Sequence, residues 1–293
     1  MIKHLVLSGG LYYGLHELGA LHCLIKNDYL SIDNIEKIYG SSVGAVIGAL
    51  LCLKLDWDII FNYFINRPWN KIMSFDTNRF IDLYSEKGLF GEDLYHEVFD
   101  ILLKYKNISP NITLKEFYEF SNIELNMFSL ELNSFTFKRI SYKTHPDMEL
   151  ITALHCTSAF PILFQPGKYI NKYYVDGGLM NNYPLSFCVE DVKDKNEILG
   201  IYLNTYEKKE FNYDVNIVKY CHYLISNLIN LTRKKEKMTI KNQLIIPRKR
   251  STIRHGLSSI ESKETRENYI NEGRKYAKLF LAYKRNQKLK SFA

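Results

Sequence analysis

The residues best suited to chemistry are a serine and its glycine neighbours. Gly40-Ser41-Ser42-Val43-Gly44 fits the G-x-S-x-G pattern, in which a serine at a sharp strand-to-helix turn exposes its hydroxyl as a nucleophile. The two glycines leave room for that turn, and the N-terminus of the following helix favours a developing oxyanion. The pattern also occurs by chance. We expect Ser42 to be the nucleophile and Ser41 to cap or pack.

A second candidate is the aspartate that begins the string Asp176-Gly177-Gly178-Leu179-Met180-Asn181-Asn182-Tyr183-Pro184. It follows a strand-like stretch at residues 169–175. A carboxylate at the end of such a strand points into the crevice at the carboxyl edge of the sheet, where Ser42 is also expected. An isolated Asp-Gly pair is often only a turn. The length of this string favours a functional role for Asp176.

The elements around these motifs alternate between strands and helices. Residues 4–8 and 36–39 are strand-like, and each leads through a glycine turn into an apolar helix, at 14–26 and 45–53. Two parallel strand-helix units therefore open the chain. We further expect a mainly helical region at 54–120, a hairpin of 124–132 with 135–142, helices at 148–156, 215–232 and 261–283, and strands at 197–203 and 244–247, with a basic loop before the last helix.

These motifs, with the segment Cys156-Thr157-Ser158-Ala159-Phe160-Pro161-Ile162-Leu163-Phe164-Gln165-Pro166, resemble the patatin-like phospholipase family. That family has a glycine-rich loop, a G-x-S-x-G turn and a D-G-G motif in this order. The resemblance extends over nearly the whole chain. We expect an α/β fold, a three-layer α/β/α sandwich with a mainly parallel central sheet. Residues 1–293 would form one acyl hydrolase domain, with a basic, largely helical C-terminal part from about residue 207.

The resemblance implies a Ser-Asp dyad. Ser42 would attack an ester carbonyl, Asp176 would accept its proton, and water would hydrolyse the acyl-enzyme, with no cofactor and no metal ion. A phospholipid or lysophospholipid would be the substrate. A triad stays open as an alternative, because His155 lies beside the small-residue segment, and His222 and His255 follow Asp176 in α/β-hydrolase order.

The glycine-rich loop is Gly9-Gly10-Leu11-Tyr12-Tyr13-Gly14, and it resembles the family pattern G-G-G-x-R/K-G. By that resemblance the amides of Gly9, Gly10 and Leu11 form the oxyanion hole. Leu11 replaces a glycine, which would cost about 1–2 kcal/mol if this position needs a positive φ. Tyr13 replaces a basic residue. Because one lost oxyanion donor slows turnover roughly a hundred- to a thousandfold, a catalytically weak or inactive lipid-surface binding protein is the alternative function.

Charge and composition suggest where the protein acts. From Arg233 onward there are 18 Lys and Arg against 5 Asp and Glu, whereas the preceding residues are acidic. This basic part, which includes Arg233-Lys234-Lys235, Arg248-Lys249-Arg250 and Arg274-Lys275, favours contact with an anionic membrane, or it is a solvated helical face. No binding motif supports a specific nucleic-acid partner.

Five cysteines without paired spacing favour a reducing compartment. The longest apolar run, 43–53, has 11 residues, whereas a membrane-spanning helix needs about 20. The first residues do not resemble a signal peptide. We expect a cytoplasmic protein or one that is peripheral at membranes.

Overall fold

The computed structural model describes residues 1–74, 81, 83–205, 211, 213–233, 238–248 and 253–290. Its strands are β1 (His4–Leu7), β2 (Lys37–Ser41), β3 (Gly88–Phe90), β4 (Glu124–Glu131), β5 (Thr136–Ile140), β6 (Ile162–Phe164), β7 (Gly167–Tyr169), β8 (Lys172–Asp176), β9 (Ile198–Thr205) and β10 (Gln243–Arg248). Its α-helices are α1 (Gly14–Lys26), α2 (Val43–Cys52), α3 (Trp57–Asn66), α4 (Trp69–Ile72), α5 (Asp93–Tyr105), α6 (Leu114–Ser121), α7 (Leu150–Ser158), α8 (Leu185–Asp191), α9 (Ile217–Arg233), α10 (Ile253–Glu261) and α11 (Lys263–Lys290).

The central sheet has the strand order β10-β9-β1-β2-β4-β8-β7, and β5 also pairs with β4. The five strands from β10 to β4 are parallel to one another. β5 and β8 run antiparallel to β4, and β7 runs antiparallel to β8. β3 and β6 form a separate two-stranded sheet. The prediction of a mainly parallel central sheet is confirmed.

Helices cover both faces of the sheet. Because successive side chains of a strand point to opposite sides, a single strand contributes to the core on each face. Leu5 and Leu7 of β1 belong to a large core cluster that includes apolar residues of α1, α2 and α11. Val6, between them, belongs to a second cluster with Leu185 and Cys188 of α8. The predicted three-layer arrangement is therefore correct.

The long C-terminal helix α11 packs against α1. His16 of α1 hydrogen-bonds Glu272 of α11, with 2.9 Å between Nε2 and Oε2. The buried guanidinium of Arg266, also on α11, donates to the carbonyls of Ser259, Ile260 and Ile65. These contacts join the basic C-terminal helix to α3, α10 and the core.

Some local predictions differ from the structure. The stretch 169–175 is a hairpin of β7 and β8 rather than one strand, because Ile170 and Asn171 take φ values of 43° and 56°, which suit a tight hairpin turn. The expected loop before the last helix contains α10, whose Gly256 and paired serines are poor helix formers. The two opening parallel strand-helix units and the β4–β5 hairpin are confirmed.

Candidate active site

Ser42 lies at the turn between β2 and α2, with φ 53° and ψ −128°. A β-carbon on Gly40 would lie 2.5 Å from the Ala45 nitrogen, and one on Gly44 would lie 2.4 Å from the Leu7 oxygen. Both contacts are with backbone atoms that cannot move aside easily. Ser42 therefore takes a strained backbone conformation between two glycines at which a side chain would clash.

The structure brings Ser42 and Asp176 together. The Ser42 hydroxyl donates to Asp176 Oδ2 at 2.7 Å, and both side chains are buried. The other carboxylate oxygen, Oδ1, accepts the N–H of Gly178 at 2.7 Å. Asp176 ends an antiparallel strand, contrary to the expected parallel edge. It reaches Ser42 because β4 pairs its Phe128 with Ser41 and its next residue, Ser129, with Asp176.

Thr157 on α7 ties the serine turn to β4. Its Oγ1 accepts the N–H of Ser42 at 3.3 Å and donates to the carbonyl of Phe128. Sequence reasoning assigned no role to this residue, although Thr157 belongs to the small-residue segment that carried part of the family resemblance. The hydroxyl therefore holds the backbone of the turn rather than acting on a substrate.

The glycine-rich loop is fastened to the segment that follows Asp176. The N–H of Gly9 donates to the Asn182 carbonyl, and Asn182 Nδ2 donates back to the Gly9 carbonyl, both at 2.8 Å. Leu11 takes φ 52°, so the conformational cost considered for a side chain at this position applies. Within the described residues, the amides of Gly10 and Leu11 have no hydrogen-bond acceptor, whereas the amide of Gly9 is already engaged.

A buried titratable group contacts the residue before this loop. Glu17 Oε1 is 3.1 Å from the N–H of Ser8 and 3.3 Å from its hydroxyl. Burial raises the pKa of Glu17 well above its usual range, against the opposing effects of the Ser8 hydrogen bonds and the charge of Arg248. The Arg248 guanidinium lies 5.0 Å from the centre of the Tyr13 ring. A positive charge from β10 is therefore present beside the loop although residue 13 is a tyrosine.

A cavity of about 360 Å³ reaches Ser42. Its walls are mostly aliphatic and aromatic side chains from six helices and the small sheet, among them Leu15, Val46, Phe64, Trp69, Phe99 and Phe164. A largely apolar pocket lined by a few polar groups is typical of a small-molecule site. This cavity can hold a hydrocarbon chain with its reactive end at the serine.

The histidines do not complete a triad in the described part of the structure. His155 Nε2 lies 2.9 Å from the Gln165 carbonyl, and its Nδ1 lies 3.5 Å from Glu92 Oε2. The Ser42 hydroxyl contacts Asp176 directly, without an intervening imidazole. The side chains of His222 and His255 lie outside the described residues.

Two further features bear on cofactors and membranes. Among the described residues, no group of three or more His, Cys, Asp or Glu side chains is arranged to bind a metal ion. Within the same part of the chain, no helix is long and apolar enough to cross a bilayer. Of the basic runs, Lys234, Lys235, Lys249 and Arg250 lie outside the described residues.

A layered α/β fold with a buried serine at a strand-to-helix turn and an adjacent aspartate defines a class of serine hydrolase-like proteins. The profile of the family described as patatin-like phospholipase matches residues 5–189. The chain belongs to the patatin-like phospholipase family.

Two relatives with curated names agree with this assignment. The chain is 30% identical over 197 residues, 67% of its length, to "Probable lipid hydrolase 463L" of Invertebrate iridescent virus 6, and 27% identical over 169 residues, 57% of its length, to "Triacylglycerol lipase SDP1L" of Arabidopsis thaliana. The matches span 66% of the viral protein and 20% of the plant protein.

The fold is also found in a solved structure, that of VipD from Legionella pneumophila. The superposition gives a TM-score of 0.55 at 18% sequence identity, and it covers 96% of this chain and 67% of VipD. At this identity the likeness concerns the fold alone.

Proposed function

We propose that the protein is a serine acyl hydrolase that cleaves fatty acyl esters of phospholipids or lysophospholipids through a dyad of Ser42 and Asp176. The observation that carries the proposal is the 2.7 Å contact between Ser42 Oγ and Asp176 Oδ2, with Ser42 in the wall of a largely apolar cavity. Proton transfer requires a base within hydrogen-bond reach of the nucleophile. The cavity supplies a place for an acyl chain beside that pair.

In the proposed reaction, Ser42 Oγ attacks the ester carbonyl carbon while Asp176 accepts the hydroxyl proton. The tetrahedral intermediate then collapses, the bond to the leaving oxygen breaks, and Asp176 returns the proton to that alkoxide. Water next attacks the acyl-enzyme while Asp176 accepts its proton, and Asp176 then passes this proton to Ser42 Oγ as the fatty acid is released. The hydrogen bond from Gly178 to Oδ1 keeps the carboxylate oriented throughout.

The negative charge of the intermediate needs donors near the serine. We infer that the amides of Gly10 and Leu11 supply them, because the third amide of the predicted oxyanion hole, that of Gly9, donates to Asn182. Gly9 then has a positioning role. The N-terminus of α2, which begins directly after Ser42, adds a favourable dipole.

The test uses two substitutions with a matched control. Ser42→Ala and Asp176→Asn each should lower turnover of a nitrophenyl ester and of mixed phospholipid vesicles by roughly a thousandfold or more, because each removes one member of the dyad. Ser41→Ala removes the neighbouring hydroxyl and should retain turnover. A phosphonate ester probe should label Ser42 only. Normal turnover in either dyad variant, or labelling of Ser41, would contradict the proposal.

A second candidate function is lipid-surface binding with little or no catalysis. It is favoured by Leu11, which takes a left-handed backbone conformation (φ 52°) at a loop position where the family pattern has glycine. Incubation of the wild-type protein with the ester and with phospholipid vesicles separates the two functions. Sedimentation with vesicles without hydrolysis of either substrate would favour the binding protein.

A further inference from the structure

Helix α9 carries a row of exposed apolar side chains. Ile217, Tyr220, Leu224 and Leu228 are exposed by 70%, 39%, 42% and 62%. At 3.6 residues per turn, the four positions fall within an arc of about 80° on one side of the helix. We call these four residues the α9 stripe. Contiguous exposed apolar groups on one helix face mark an interaction surface more often than scattered ones do.

The α9 stripe lies on an element that is adjacent to the catalytic pair. Helix α9 contacts the short 3-10 turn Gly177–Leu179, which follows Asp176 directly. Ile229 is buried and anchors the helix by its other face. Met180, at the end of the same turn, is 45% exposed. An object that covers the stripe would therefore lie on a helix that itself contacts the turn after Asp176.

The charge of this region indicates which partner fits. No Asp or Glu occurs between residues 217 and 233, and the closest preceding acidic residue is Asp214. Lys219 is exposed on the helix, and the sequence continues with Arg233-Lys234-Lys235. A helix with an apolar face, no acidic groups and basic flanking residues suits a surface with hydrocarbon beneath anionic headgroups.

We propose that the α9 stripe docks the protein on the surface of an anionic lipid bilayer. The leucines and Ile217 enter the boundary between headgroups and acyl chains, and the excess of basic residues in this part of the sequence attracts the anionic headgroups. The benefit to catalysis rests on the proposed function, since docking would bring lipid esters to the Ser42 cavity. The docking itself does not depend on hydrolysis and is measured separately.

The experiment compares two double variants in a Ser42→Ala background, so that vesicles stay intact. Leu224→Ser with Leu228→Ser removes the centre of the stripe. The control, Ile101→Ser with Tyr105→Ser, changes two apolar residues of α5 that are also four positions apart and are 57% and 61% exposed. Circular dichroism and thermal melts check that all variants fold.

Partition onto vesicles of mixed phosphatidylcholine and phosphatidylserine is measured by sedimentation. The stripe variant should bind about tenfold or more weakly, or about 1.4 kcal/mol, because two leucines no longer enter the bilayer. The α5 variant should bind like its Ser42→Ala parent. Pure phosphatidylcholine vesicles and added salt should weaken binding of the parent, since both reduce the electrostatic attraction.

Three outcomes would overturn the docking proposal. The first is equal partition of the stripe variant and its parent, and the second is equal binding of the parent to neutral and anionic vesicles. The third is a dimer that forms without lipid and that the stripe substitutions dissociate, because the stripe would then be a contact between two copies of the chain. Hydrolysis of a soluble nitrophenyl ester by the protein with Ser42 intact is scored independently. Its absence would refute the proposed function and leave the sedimentation result valid.

Discussion

The substitution Gly9→Ala tests how the glycine-rich loop is held. The added methyl carbon would lie 2.4 Å from Asn182 Oδ1 and 3.2 Å from the Ser41 carbonyl oxygen. The first distance is well inside van der Waals contact, and Asn182 is buried. The asparagine must therefore move, and the mutual hydrogen bonds between Gly9 and Asn182 cannot both persist unchanged.

The expected effect falls mainly on turnover. Loss of one Gly9–Asn182 hydrogen bond costs about 0.5–1.5 kcal/mol of stability, which the fold tolerates. A shift of about 1 Å in a positioned group, however, costs roughly a hundredfold in rate, and a lost oxyanion donor costs as much or more. We expect kcat for a soluble ester to fall by about a hundredfold or more. KM should change little, because the cavity walls remain.

Steady-state kinetics on a nitrophenyl ester, with thermal melts, measure both effects. Gly256→Ala is the steric control, since its added methyl would lie 3.7 Å from Tyr12 Cε1, an ordinary contact, and should retain most activity. Asn182→Ala should relieve the clash, so the double variant should lose less than the two single losses combined. A Gly9→Ala protein with wild-type kcat would refute the idea that this pairing positions the loop.

Two further predictions concern buried groups. Burial raises the pKa of Glu17 in the folded protein, whereas the pKa of an unfolded glutamate is about 4.3. The folded state therefore binds the extra proton, and the free energy of unfolding falls as pH rises between these two pKa values. Thermal melts of Glu17→Gln should thus show a smaller loss of stability over this range, and parallel profiles would contradict the raised pKa. Thr157→Val should lower both the melting temperature and kcat, since the Ser42 N–H and the Phe128 carbonyl lose their hydrogen-bond partner. Each buried unpaired group costs about 1–3 kcal/mol of stability. An unchanged melting temperature and kcat would show that the Thr157 hydroxyl is dispensable.

Local patterns indicated the turn that holds Ser42 and the strand end that holds Asp176, and the family resemblance implied that the two would act together. The spacing of Gly40 and Gly44 encodes a sharp turn, and the strand before Asp176 encodes its position at a sheet edge. The direction of β8 was not predictable, because it depends on pairing with β4 rather than on its own residues. The hydrogen-bond partners of Ser42 and Gly9 were not predicted for the same reason. Thr157 lies 115 residues from Ser42 along the chain, and Asn182 lies 173 residues from Gly9.

A glycine in a sequence motif can be required for a positive φ or for close approach of another chain segment. The backbone around the candidate site shows which of these two reasons applies. Among the described residues no glycine has a positive φ, whereas Leu11 and Ser42 take φ values of 52° and 53°. The glycines of the site are instead required where another chain segment approaches closely, as Gly9 and Gly44 show.

A leucine at position 11 therefore costs conformational energy, about 1–2 kcal/mol, because its φ is 52°. Its side chain lines the cavity, so burial of apolar surface offsets part of that cost. The amide of Leu11 donates to no acceptor among the described residues, as an oxyanion donor requires. We infer that the departure from the family pattern at Leu11 lowers stability more than it lowers the rate of acyl transfer.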